Sequence, residues 1–272
     1  MKIRYIIFLV LALILVSCSQ YSKLLKSTDY ELKKNKAKEY FENGDFSRVT
    51  QLLEQIIPRY RATDEAEDLT WMSAQSYYGM KDFMMAGAEF RNYANLYPYG
   101  KHDEEANFLA AMCDYYQSPR PELDQASTTS AIESFSLFIS KYPSSQRAVE
   151  AKNYVKEMKD KLSEKSYLSA RLYYRMDQYK AAVTALSNSL KEFPETKFRH
   201  EMMFLKLNSL YLYAVNSIPS KQTERFQSAL DDYYSFIEEF PKTSYSKDLA
   251  RIYQATTKAL KINIDQTQTN SK

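Results

Sequence analysis

One column of side chains is written five times along this chain. Ala182, Leu186, Ser189, Phe193 and Pro194 follow one another at steps of four, three, four and one. The same ruler gives Ala86, Phe90, Tyr93, Tyr97 and Pro98, then Ala131, Phe135, Phe138, Tyr142 and Pro143, and later Ala229, Tyr233, Phe236, Phe240 and Pro241. Near the N-terminus it gives Val49, Leu53, Ile56 and Tyr60, with Arg61 where the other copies have proline. Steps of four, three and four place these side chains on one face of an α-helix. The proline forbids a further turn, so each helix is expected to stop at the same point of its copy. An aromatic pair precedes the first four columns: Tyr40-Phe41, Tyr77-Tyr78, Tyr115-Tyr116 and Tyr173-Tyr174. Its first member lies 21 residues before the terminator in three copies and 28 in the third. The pattern predicts five antiparallel helix pairs, stacked because a lone pair cannot bury its apolar face. The expected fold class is all-α.

Taken in order, Thr28-Asp29-Tyr30-Glu31 has the form of a capping box, with Thr28 and Glu31 satisfying the free N–H groups of a first helix. That helix carries Ala37, Tyr40 and Phe41 and should end at Asn43-Gly44 in a left-handed stop. The second pair turns at Met80-Lys81-Asp82. In the third, Gln117 to Gln125 holds Pro119 and Pro121 and reads as an inserted loop, which accounts for the longer spacing of that copy. Ser145 to Met176 has neither Gly nor Pro, and Tyr154, Val155, Met158 and Leu162 continue an apolar stripe, so one long helix is expected there. The fifth pair is interrupted over Asn216 to Ser220. A capping helix is expected from about Ser244 to Ile262, followed by a polar tail over 263–272.

Composition agrees with nearly continuous helix: 4 Gly stand against 24 Tyr and 10 Met in 272 residues. Catalytic constellations are missing. His102 and His200 are isolated, no Cys or carboxylate cluster has metal-ligand spacing, and the four glycines are scattered rather than gathered in a phosphate loop. The pairs Glu104-Glu105, Asp231-Asp232 and Glu238-Glu239 imitate a carboxylate dyad, but adjacent helical residues point about 100° apart. No enzyme, metal or cofactor is expected.

The N-terminus has the form of a targeting signal. Lys2 and Arg4 precede an apolar run from Tyr5 to Val16, too short for a comfortable membrane span. The run ends in Leu15-Val16-Ser17-Cys18, which resembles the lipobox of bacterial lipoproteins. That resemblance implies cleavage before Cys18, which would then carry a diacylglyceryl thioether and an N-acyl chain such as palmitate. It also leaves Cys113 without a disulfide partner, to serve as a small apolar residue. Loss of Lys2 and Arg4 would lower the formal net charge from +3 to +1, too little for general attraction to nucleic acid.

The columns resemble the tetratricopeptide repeat, whose small, Tyr, Ala, large-apolar and Pro positions are matched by Ala170, Tyr173, Ala182, Leu186 and Pro194, and by Ala74, Tyr77, Ala86, Phe90 and Pro98. The Trp-Leu-Gly start is missing, so the copies are degenerate. The resemblance implies a superhelical solenoid of five such pairs plus the C-terminal capping helix, with the first helix of each pair lining a groove. Carried across, the candidate peptide groove is Lys34, Lys38, Phe41, Trp71, Gln75, Tyr78 and Tyr116, and the later half contributes Tyr167, Arg171 and Tyr174. The first member of each aromatic pair reads as core, and the second divides between core and groove.

Lipobox, degenerate repeats, the Pro-x-Pro-x-x-Asp-Gln insertion and the long helix together resemble the BamD-type lipoproteins of the outer-membrane β-barrel assembly machinery. The match is closest from Lys141-Tyr142-Pro143 through Lys159-Asp160-Lys161-Leu162 to Tyr173-Tyr174. The organisation it implies is a signal over 1–17, a lipidated tether over 18–28, and client-binding repeats over 29–143. A docking half with the linking helix would cover 144–262. The implied place is the periplasmic face of the outer membrane. The implied partners are unfolded outer-membrane proteins and the central barrel-inserting protein, with Lys34 and Lys38 meeting a terminal carboxylate. A lipid-anchored glycan- or other peptide-binding repeat protein is the alternative.

Overall fold

The computed structural model describes residues 20–261, so the signal, Cys18 and the tail over 263–272 lie outside the described residues. Within them all regular structure is helical. Residues 20–26 form α1. Then follow α2 (Tyr30–Glu42), α3 (Phe46–Tyr60), α4 (Ala66–Gly79), α5 (Phe83–Leu96), α6 (Asp103–Gln117) and α7 (Ala126–Lys141). The remainder is α8 (Arg147–Arg175), α9 (Tyr179–Glu192), α10 (Arg199–Val215), α11 (Pro219–Glu239) and α12 (Ser246–Ala259). The described residues thus hold the five pairs, α2/α3 to α10/α11, and the terminal helix that the columns predict.

Proline sets the end of each second helix as expected. Tyr97, Tyr142, Phe193 and Phe240 each precede a proline, take φ between −127° and −124°, and close the helix by donating their N–H to the residue four back. Arg61, in the copy without proline, keeps a helical backbone at φ −49° and ψ −29°. Pro219 is the first residue of α11, so the break in the fifth pair is shorter than its sequence suggests: the ring occupies a position whose N–H has no helical acceptor.

The turns within pairs explain the aromatic marks. The N–H groups of Asp45, Asp82 and Gln178 bond back to the carbonyls of Tyr40, Tyr77 and Tyr173 at 2.9, 3.0 and 3.0 Å. Those of Gly44, Lys81 and Asp177 bond to Phe41, Tyr78 and Tyr174 at 3.0, 2.9 and 3.1 Å. Both bonds require a left-handed residue between the helices, and Gly44, Lys81 and Asp177 have φ of 74°, 60° and 57°. The third copy loses this turn because its loop, Ser118 to Gln125, intervenes.

Two details at the start of the chain differ from the sequence reading. The N-cap of α2 is Asp29, whose carboxylate accepts from the Leu32 N–H at 2.8 Å, and not Thr28. Glu31 is thereby placed inside the helix, where it turns to Lys34 and Tyr60. Part of the stretch expected as a tether over 18–28 is helical, over 20–26, because Tyr21, Leu24 and Leu25 pack on the first core.

The chain divides into two compact units. Unit 1 comprises the described residues up to Pro119 together with Gln125–Met158; unit 2 comprises Arg120–Asp124 and the residues from Lys159 onward. The division falls inside α8, beyond the 143/144 boundary drawn at Pro143. Ala151 and Met158 pack with α6 and α7, whereas Tyr167 and Ala170 pack with α9 and α10. Unit 1 has three successive cores: Val49, Leu53 and Ile56 with Leu69; then Ala86, Phe90 and Tyr93 with Ala106; then Ala131, Phe135 and Phe138 with Met158. Unit 2 has one, around Ala182, Leu186, Met202 and Phe236. The opening small residue of every column is fully buried.

Each pair of unit 1 is further closed by a tyrosine hydroxyl from its second helix, donated to a carboxylate in the first turn of its first helix. Tyr60 reaches Glu31 at 3.0 Å, Tyr93 reaches Glu67 at 2.6 Å and Tyr142 reaches Asp103 at 2.7 Å.

Candidate functional site

In unit 1, α4 and α6 bring three of the expected groove residues into one series of rings. Trp71 stacks on His102, with centroids 4.2 Å apart, and meets Phe90 and Tyr93 at 5.5 and 5.4 Å. Tyr78 meets the far side of the series, with Phe90 at 5.9 Å, Phe83 at 5.7 Å and Tyr116 at 6.4 Å. Tyr116 stacks on Phe83 at 4.6 Å and is 47% exposed. Edge-to-face and offset contacts of this kind fix ring orientation. The outer surfaces of Trp71, Tyr78 and Tyr116, with half-buried Gln75 on the same helix face, form an ordered aromatic face. Burial pushes the Tyr78 hydroxyl above its ordinary range, with a further contribution from its hydrogen bond to Tyr116. It stays a neutral donor at physiological pH.

The α2 residues behave differently. Lys34 is buried and meets Glu31 at 2.8 Å and Glu65 at 2.6 Å, with its ammonium 4.9 Å from the centre of the Tyr60 ring. The expectation that it meets a client carboxylate is corrected: two carboxylates of this chain already hold its charge, and their hydrogen bonds keep it protonated well above the ordinary lysine range. Lys38 is exposed. Phe41 is half-buried, packed edge-on to Phe46 at 5.7 Å, and closes the first pair instead of lining a groove.

In unit 2, Tyr167 is a core residue, 4% exposed and stacked on Phe198 at 4.3 Å. Arg171 lies 5.8 Å from the Tyr167 ring centre and 3.7 Å from Glu201. Tyr174 accepts a hydrogen bond from Asn208 at 2.7 Å. The aromatic-pair rule inverts here: Tyr173, expected in the core, is 45% exposed, and Tyr174 is the half-buried member. Arg171 and Tyr174 therefore present a polar edge held by Glu201 and Asn208, with Tyr167 beneath it.

Residues the columns did not single out include His102, Phe83, Glu201 and Asn208. Phe83 could have been found, since an aromatic begins the second helix immediately after the Met80-Lys81-Asp82 turn. His102 could not, because its partner Trp71 is in the preceding repeat. Cys113 is buried, with its thiol pushed up to about 12 by burial and by neighbouring Asp114, and is chemically quiet. The acidic pairs have internal partners: Glu104 accepts from Ser145 at 2.7 Å, Glu105 meets Arg147 at 3.2 Å, Asp232 meets Lys206, and Glu239 meets Arg199 at 2.8 Å. Among the described residues no group of His, Cys, Asp and Glu is arranged to hold a metal ion, and no helix is long and apolar enough to cross a membrane.

The fold and this surface define a class: a helical-repeat protein of the tetratricopeptide kind that displays an ordered row of aromatic rings. The chain belongs to the YfiO family, described as outer membrane lipoprotein, whose model matches residues 30–223. It is similar to the outer membrane protein assembly factor BamD of Caulobacter vibrioides, with 20% identity over 171 residues that cover 63% of this chain and 56% of that protein. It thus spans little more than half the length of this curated relative. Solved structures with a similar trace include the P58(IPK) TPR domain, with a TM-score of 0.41, 13% identity, and 91% of this chain and 64% of that chain covered. Another is a Podosopora anserina putative kinesin light chain with nearly identical TPR-like repeats, with a TM-score of 0.33, 12% identity, and coverage of 78% and 97%. The fold assignment rests on the helix pairs themselves.

Proposed function

We propose that this protein is a lipid-anchored scaffold of the outer-membrane β-barrel assembly machinery. Cys18 carries the acyl chains that hold it on the periplasmic face of the outer membrane. Unit 1 receives unfolded outer-membrane proteins, unit 2 docks the central barrel-inserting protein, and neither catalyses a reaction. Family membership and the similarity to an outer membrane protein assembly factor support the setting. The observation that carries the client-binding role is the ordered ring series of Trp71, Tyr78 and Tyr116.

The physical logic is that of an extended chain on an aromatic surface. Alternate side chains of a β-forming segment point the same way, so its apolar face can lie on the rings while its polar face stays in water. Exposed Lys38 supplies a cation for a client's carboxylate. The client surrenders conformational freedom on binding, so affinity should be modest and release easy. At unit 2, Arg171 and Tyr174 offer a charged and hydrogen-bonding edge for a folded partner domain. Two or three acyl chains hold a protein firmly to a bilayer, whereas one holds it marginally.

A photo-crosslinking residue at position 116, in the full chain in living cells, tests the client role. Adducts with barrel proteins captured before insertion are expected there. Adducts confined to other positions would move the client site. Binding to a glycan array, with no barrel-protein adducts at any position, would turn the reading to a sugar-binding surface. Cys18→Ala is expected to move the protein from the membrane to the soluble periplasmic fraction.

A further inference from the structure

Helix α4 has a second lined face. Tyr77 points about 100° round the helix from Tyr78, and with Ser73 it floors a cleft of about 650 Å³ between α3 and α5. Glu54 and Arg61 stand on the α3 wall and Glu89 on the α5 wall, with Ile57 and Leu96 supplying apolar surface.

The charges in this cleft are unusual for the molecule. Most carboxylates at helix contacts in unit 1 have a cation or hydroxyl partner, as Glu31, Glu67, Asp103 and Asp114 do. Glu54, Glu89 and Arg61 meet no ion-pair partner within the described residues. Ser73 is 6% exposed, lines the floor, and has no hydrogen-bond partner there either. Glu54, Glu89 and Tyr77 line the cleft together, and burial, then the charges of Glu54, Glu89 and Asp82, hold the Tyr77 hydroxyl above its ordinary value. Burial lifts the Glu89 carboxyl above its ordinary value, against a hydrogen bond from Asn92. A cation arriving from outside would relieve that cost.

Arg61 marks the opposite end. It stands seven residues beyond Glu54, about 10 Å along the helix axis. It is also the residue found where the other four columns have proline, so the loss of that proline puts a positive charge at the C-cap of α3. The cleft is therefore dipolar, negative around Tyr77 and positive at Arg61, with an apolar stretch between.

We infer that this cleft binds an extended segment of a partner protein with a basic, an apolar and an acidic residue at alternate positions, so that all three face the cleft. The Lys or Arg of the segment sits between Glu54 and Glu89 against the Tyr77 ring, the apolar residue two positions on meets Ile57 and Leu96, and the acidic residue four positions on meets Arg61. Four residues of extended chain cover about 13 Å, and the flexible side chains at each end take up the difference from the spacing of Glu54 and Arg61. The backbone of the segment offers an N–H or carbonyl to Ser73. This site is separate from the aromatic face, and either can fail without the other.

The test uses the full chain in detergent, labelled at its methionine methyl groups, because Met85 lines the cleft. The probes are the blocked peptides Ac-Arg-Thr-Leu-Thr-Glu-NH2 and Ac-Gln-Thr-Leu-Thr-Gln-NH2. The charged peptide is expected to give a saturable shift of the Met85 resonance at a concentration about tenfold below the neutral one. Glu54→Gln with Glu89→Gln should bring the charged peptide to the level of the neutral control, and Arg61→Gln should weaken it severalfold. These exposed or half-exposed positions tolerate glutamine, and a retained melting transition confirms folding. Equal shifts from both peptides, or an unchanged affinity in the double variant, would overturn the assignment.

Discussion

The indole of Trp71 lies flat on the imidazole of His102, with ring centroids 4.2 Å apart and planes 7° from parallel. The two residues belong to successive repeats, one within α4 and the other capping α6. The stack ties the aromatic face to the joint between repeats and fixes the plane of its largest ring. Because the chain has a single tryptophan, its emission reports on this one indole and what touches it. His102→Ala is expected to raise Trp71 fluorescence by removing a ring that quenches it. An unchanged spectrum would mean the rings do not touch in solution.

Lys34 joins the first two repeats through Glu31 and Glu65. Lys34→Ala leaves both carboxylates without their cation and strips the face of Tyr60. Its melting midpoint should fall by roughly 2–4 °C, while photo-crosslinking at position 116 stays intact. A variant that melts normally but loses clients would return Lys34 to the binding site.

The carboxylates divide by sign in their pH dependence. Hydrogen bonds from Arg199 and Lys34 hold Glu239 and Glu31 below the ordinary glutamate value of 4.5. A carboxyl lowered in the folded state adds stability above its unfolded pKa, and that stability is lost as pH falls through the folded value. The melting midpoint should therefore drop on acidification below about pH 4.5, and less steeply in Glu239→Gln. Glu89 is raised by burial, so its charge costs stability at neutral pH. Glu89→Gln should melt higher at about pH 7 and lose that advantage near pH 4, in melts run across the range.

Lys81 adopts φ 60° in the turn between α4 and α5, a conformation in which its Cβ is crowded. Gly44 fills the equivalent place in the first pair at φ 74°. Lys81→Gly should stabilise unit 1 by about 0.5–1 kcal/mol, the relief of that crowding less the added freedom of the unfolded chain. Thermal melts compare the two chains directly, and a lower midpoint would contradict the turn geometry.

The legible part of this fold was whatever the sequence states locally. Prolines 98, 143, 194 and 241 end their helices, the columns from Val49 to Phe236 are buried or half-buried, and the long α8 follows from a run without Gly or Pro. The left-handed turns at Lys81 and Asp177 were hidden because neither residue is the glycine that announces one. Thr28 lost the cap to Asp29 by one residue, since both are good caps and only three-dimensional geometry chooses between them. At the candidate site the rings at 71, 78 and 116 were singled out by the resemblance to the tetratricopeptide repeat, which assigns the first helix of each pair to a groove. Lys34 was misread because its partner Glu65 comes from the next repeat, and a contact of that separation leaves no mark in the spacing of its own helix. Tyr173 and Tyr174 exchanged roles for a similar reason: Asn208, which fixes Tyr174, is on another helix.

The proposed client role rests most directly on Trp71. Its emission should be recorded while the full chain in detergent is titrated with a urea-unfolded outer-membrane barrel protein whose tryptophans have been replaced by phenylalanine. The expected result is a saturable spectral change that Tyr78→Ala with Tyr116→Ala weakens about tenfold, in keeping with truncated aromatic anchors. An emission spectrum that never changes, or a change that survives the loss of both tyrosines, would contradict it.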